Sequence, residues 1–204
     1  MMQKINPKFI QLIGDLIIPL IGYFYWNWSL YFIVVFLIID LITKEIYVIK
    51  KSTLIIRSQH FNQQNPKIKN RVLILTSIVI LCIAILFSHL FFYEFIKEFK
   101  VTEELYKFVM YKELGIPQYL ILIPLLFLGG NVQFKMEFIR PKQYLIVNYK
   151  TLWKKHITTT SVIVFSTIIL TIINKYTDFG ELFYLLTIIT GILIYRSLQL
   201  KNKI

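Results

Sequence analysis

Six apolar runs, each close to the length of a bilayer crossing, recur along this 204-residue chain with polar connectors between them. A helix needs about 20 apolar residues to cross roughly 30 Å of hydrocarbon. Lipid offers no partner to an unpaired backbone group, so such runs have to be helices. They cover about Phe9–Trp26, Trp28–Tyr47, Val72–Tyr93, Ile116–Gln133, Ile157–Asn174 and Leu182–Tyr195. Composition agrees, since 56% hydrophobic and 16% aromatic residues exceed what a soluble core of this length needs. The expected fold is an all-α membrane protein. It forms a single polytopic domain over residues 1–204, with six transmembrane helices arranged as three hairpins.

Charge sets the orientation. Eighteen of the 23 Lys and Arg residues fall on one side of the zigzag and five on the other. Positive connectors stay on the cytoplasmic side during insertion, so both termini are expected inside a bacterial cytoplasmic (inner) membrane. The net charge of +12 does not indicate nucleic acid, because the basic residues flank apolar runs instead of forming a stripe. Anionic lipid headgroups are their expected partners. Tyr23, Tyr25, Trp26, Trp28 and Tyr31 gather at the first outer turn, where amphipathic rings prefer to sit. Lys4 and Lys8 precede the first run as in a signal peptide. No A-x-A-like cleavage site follows, the sole Ala being Ala84, so that run is expected to be retained.

Three connectors carry further signals. Glu94–Gly115 is expected to hold a short helix along the outer boundary, with Thr102 as N-cap and Gly115 as C-cap. Leu105, Phe108, Val109 and Lys112 would share its face toward the lipid. Phe134–His156 mixes basic and aromatic residues and is expected along the inner boundary. Gln59–Asn70, around Asn65-Pro66, has the composition of a loop. Pro19 and Pro124 lie inside runs, where they are expected to kink their helices.

Polar residues within the runs are the candidate site residues, since each ionisable one costs about 2.5–3.5 kcal/mol to insert. Asp15 and Asp40 sit at matching depths, roughly 9 Å below the inner surface at 1.5 Å per residue, on adjacent antiparallel helices. Facing each other, they would form a paired carboxylate able to hold a cation or share a proton. A competing reading pairs Asp40 with Lys44, one helical turn away. In the fifth run His156, Thr160, Thr167, Thr171 and Asn174 fall within about 60° of one another at 100° per residue. Such a stripe either lines a solvated path or supplies interhelical hydrogen bonds, and packing is the favoured reading.

Several chemistries lack support. With one cysteine, Cys82, no intrachain disulfide forms, and His60, His89 and His156 are too far apart in sequence to suggest a metal site. No cofactor is implied. Neither a nucleophile elbow, a phosphate-cradling glycine loop nor an HExxH motif occurs. Glu103-Glu104 is similar to the glutamate pair of CAAX-type intramembrane proteases, but the Arg expected after that pair is absent.

The segment Ile17-Ile18-Pro19-Leu20-Ile21-Gly22, then Trp28-Ser29, then the acid Asp40 resembles an uncharacterised family of six-span bacterial membrane proteins. Trp153-Lys154-Lys155-His156 is a fainter echo of the same family. The chain departs from it at Ile38-Ile39-Asp40, where the family shows an aromatic pair before a Glu. The resemblance implies the six-span architecture and no activity.

The expected role is a non-catalytic membrane subunit or scaffold that binds a protein partner or assembles as a homo-oligomer. The alternative is a small oligomeric transporter or channel using Asp15, Asp40 and the polar face of the fifth span. The orientation has a direct test. In a Cys82→Ser background, Lys67→Cys and Lys150→Cys should resist an impermeant maleimide on intact cells, while Lys107→Cys should react. Exterior labelling at 67 or 150 would reverse the orientation.

Overall fold

Residues 7–59, 64–96, 98–110, 119–177 and 179–201 are described by a computed structural model, and among them the chain is helical with no strand. The helices are α1 (Pro7–Tyr25), α2 (Leu30–Ser58), α3 (Gln64–Phe95), α4 (Val101–Met110), α5 (Tyr119–Gln133), α6 (Gln143–Ile146), α7 (Tyr149–Tyr176) and α8 (Glu181–Lys201). A π-helical segment, Phe134–Ile139, continues α5 without a break. Three stretches are long and apolar enough to cross a membrane: Pro66–Phe95, Leu120–Ile139 and Tyr149–Tyr176. Leu16–Tyr25 and Glu181–Leu193 are shorter apolar helices. In α2 the charged residues Asp40, Lys44 and Glu45 interrupt the apolar run.

The helices overrun the apolar runs. Gln64–Asn70, expected as loop, is the first part of α3, and residues 60–63 lie outside the described ones. Pro66 falls in the first turn of α3, where a missing N–H leaves no intrahelical bond unmade. Likewise α7 begins at Tyr149, and Phe134–Ile139 extends α5, so most of the connector expected along the inner boundary is helix continued from its neighbours. Lys, Arg and Gln are good helix formers, so a helix need not stop where the hydrocarbon does. Lys142, with φ 55°, supplies the left-handed residue between the π-helical segment and α6.

Thr102 is not the N-cap of α4. The amides of Glu103 and Glu104 donate to the Lys100 carbonyl at 3.0 and 3.1 Å, so Lys100 holds that position. Its ammonium donates to Glu103 at 2.9 Å. Lys112 and Gly115 lie outside the described residues. Phe108 is buried on α4, while Leu105 and Val109 beside it stay exposed.

The chain divides into two compact units, one formed by Met1–Val35 with Thr177–Ile204 and the other by Phe36–Tyr176. In the first, α1 packs against α8. Gly22 lies against the indole of Trp28, where a Cβ would come within 2.2 Å of ring carbon. The Trp28 amide donates back to the Gly22 carbonyl at 2.9 Å, and Asn27 turns the chain between them with φ 49°. The Phe32 ring lies tilted against the buried Trp28 ring, 4.4 Å between centroids. Ser29 caps α2, its Oγ accepting the Phe32 amide at 3.2 Å.

In the second unit α3 packs extensively along α7. Ser77, Leu81, Ala84 and Ser88 are buried on α3, and Tyr149, Trp153, Thr160 and Val164 on α7. These spacings of three, four and seven residues are those of a close helix–helix seam. Ile55, Ile56, Phe138, Tyr149 and Trp153 form an apolar cluster in this unit. Tyr47 covers Gly130 and donates its hydroxyl to the Phe127 carbonyl at 2.9 Å, joining α2 to α5.

The Gly22–Trp28 contact leaves no room for a methyl group. Gly22→Ala should therefore lower stability by about 1–3 kcal/mol, as overpacking does. Thermal unfolding followed by tryptophan fluorescence would show it, and an unchanged transition would contradict this packing.

Candidate functional site

A carboxylate inside an apolar helical unit has to find donors within the protein. Glu45 of α2 does so across two other helices. Only 5% of it is exposed. Its Oε2 accepts the Ser77 hydroxyl of α3 at 2.7 Å, and Nε2 of His156 on α7 lies 2.6 Å from the same oxygen. Oε1 is buried and has no partner among the described residues. One carboxylate oxygen thus ties together three helices.

Neighbouring residues position the cluster. Ser77 is fully buried in the α3–α7 seam, where a small side chain lets the helices approach. Seven residues earlier on α3, on the same face, Asn70 Oδ1 accepts the Trp153 indole N–H at 2.8 Å. Trp153 is itself fully buried and meets the His156 ring edge-on at a centroid distance of 6.0 Å. The Asn70–Trp153 bond therefore pins the start of α7 to α3, while Ser77 and His156 reach α2 through the same Glu45 oxygen.

This arrangement limits the chemistry. In a nucleophilic serine the hydroxyl donates to the imidazole, and an acid orients that imidazole from its far side. Here serine and histidine both meet the carboxylate, and on the same oxygen. The cluster is a shared acceptor, suited to holding helices together or to holding a proton, and it does not set the imidazole as the base of the serine.

The residues singled out from the sequence fall differently. Asp40 forms an ion pair with Lys44 within α2. Asp15 lies in α1, and its side chain is outside the described ones. His156 reaches Glu45, across to another helix, instead of extending a polar stripe along α7. The threonine hydroxyls turn back onto their own helix: Thr160 donates to the His156 carbonyl at 3.0 Å, Thr167 to Val164 at 2.8 Å and Thr171 to Thr167 at 2.8 Å. Where water is scarce, a helix carbonyl one turn back is the nearest acceptor for a threonine, so these protons supply no contact between helices. Asn174 is half-buried near the end of α7.

Glu45, Ser77 and Asn70 escaped the sequence reading. One signal was available: Glu45 and His156 lie at the same ends of their expected spans, two residues before Tyr47 and one before Ile157. Depth alone made them possible neighbours.

Comparison of the chain with protein-family models, with curated proteins and with solved structures found no match.

Breaking one side of the cluster leaves the other partner buried and unmatched. Glu45→Leu or His156→Leu alone should cost about 3–5 kcal/mol, the usual penalty for half of a buried pair. The double variant should recover part of that, giving a coupling of about 1–3 kcal/mol in a double-mutant cycle read by unfolding in micelles. Strict additivity would mean that the two residues do not act together.

Proposed function

We propose that this chain is a non-catalytic, multi-pass component of a bacterial inner membrane, with both termini cytoplasmic, that works by binding a partner through its helices. The observation that carries this reading is how the second unit spends its polar and apolar groups. Glu45, Ser77, His156, Asn70 and Trp153 are used to hold α2, α3 and α7 together. Meanwhile none of the described residues of α5 is fully buried, and Leu120, Ile121, Leu125 and Leu128 stay exposed. Gly129 lies open beside this face, with nothing within 4 Å of where its Cβ would be. Small residues on exposed apolar helices allow close approach of another helix in lipid. The excess of basic residues on one side of the zigzag supports the orientation.

A second reading, a small proton- or cation-linked transporter, is favoured by the Glu45 cluster. An ionisable pair buried inside a membrane protein is costly and commonly marks an ion or proton path. Glu45 Oε1 offers it an acceptor with no donor among the described residues.

Two measurements separate the readings. With Gly129→Cys in a Cys82→Ser background, a bifunctional maleimide applied to membranes should give a discrete larger product, either a second copy or another protein. A chain that stays monomeric would count against partner binding. Reconstituted in liposomes under a pH gradient, the chain should carry no current. A current abolished by Glu45→Gln would establish the transporter instead.

A further inference from the structure

Lys51 lies four residues past Tyr47 on α2, roughly 6 Å beyond the expected membrane-crossing part at about 1.5 Å per residue. That places it at headgroup depth on the membrane reading above, on which this inference rests. Its ammonium stands over the Phe138 ring at 5.6 Å. Burial pushes its pKa below the ordinary lysine value; the charge of Glu137 opposes this, and that of Lys155 on α7 adds to it. Glu137 already accepts the Gln133 side-chain amide at 3.0 Å, and none of the ion pairs among the described residues includes Lys51. Alongside, the Lys50 ammonium stands over the Tyr47 ring at 4.9 Å.

Lys51 thus stands over an aromatic floor where α2, the π-helical segment and α7 converge, within electrostatic reach of Lys155 and without a full counter-charge. Desolvating an ammonium beside another one is unfavourable, and an anion placed between them would reverse the balance. A phosphodiester meets the need. It carries one negative charge, offers several acceptor oxygens and resides at that depth in a bilayer. We propose that Lys51, above Phe138, together with Lys155 of α7, holds the phosphate of an anionic membrane phospholipid. General attraction to a charged surface would be spread over all the exposed basic residues, whereas this site depends on a half-buried lysine and its partner on α7.

Native mass spectrometry of the full chain, released from phosphatidylcholine nanodiscs containing phosphatidylglycerol, tests this. The unaltered chain should retain phosphatidylglycerol in preference to phosphatidylcholine. Lys51→Gln and Lys155→Gln should each reduce that retention about fivefold, the factor equivalent to about 1 kcal/mol per basic residue near an anionic surface. Lys150→Gln, exposed on another face of α7, should leave it unchanged. Equal losses in all three variants would show diffuse attraction and overturn the site. Inorganic phosphate that displaces the lipid, with the same dependence on Lys51, would make the ligand a soluble anion and overturn the lipid assignment. Incorporation into nanodiscs without any lipid preference would defeat the site and leave the membrane reading standing. Failure to incorporate at all would defeat the membrane reading.

Discussion

A carboxylate cut off from water is the constraint around which the second unit is organised. Glu45 cannot be solvated where it lies, so α3 must present Ser77 and α7 must present His156 at one point in space. Turning any of the three helices by one residue, about 100°, would swing its group away from the others. A buried pair of this kind selects one register among several that apolar packing alone would allow. The Trp153–Asn70 bond, a short way along the same seam, selects the same one.

Such pins matter more here than in a soluble protein. Lipid tails are as apolar as leucine, so burial of Ile and Leu gives helices little reason to prefer each other over lipid. Cohesion has to come from close contact and from polar bonds. The chain supplies the first at places where a side chain is small or missing: Gly22 under Trp28, Gly130 under Tyr47, and Ser77, Ala84 and Ser88 along α3. With a single alanine in its whole length, it puts that residue in the α3–α7 seam.

The same economy shapes the functional reading. Polar side chains that were candidates in sequence are engaged once the helices form: Asp40 by Lys44, and the α7 threonines by their own carbonyls. Among the described residues, two features that stay open are the apolar face of α5 and the ammonium of Lys51. The first suits a helix, and the second suits a phosphate. Both contacts would be made in the plane of the membrane or at its edge, which is where a component that acts by association needs them.

Helical class could be read from the sequence, because an apolar run in lipid has no other way to satisfy its backbone. The Asp40–Lys44 pair could be read too, since two residues one turn apart meet on any helix. Helix ends could not. Hydropathy marks where hydrocarbon stops, whereas α2, α3 and α7 continue until the backbone meets a turn or a cap, so Gln64–Asn70 is helix despite its loop-like composition. The Glu45–His156 contact spans 111 residues and depends on how two separate helices are rotated. Periodicity places a residue on a face of its own helix and says nothing about which helix that face meets. The residue pattern alone therefore determined the helical class and the bonds made within one helix. Only the tertiary structure decided that Glu45, Ser77 and His156 share an oxygen, because that depends on side-chain packing between helices, which no single helix encodes.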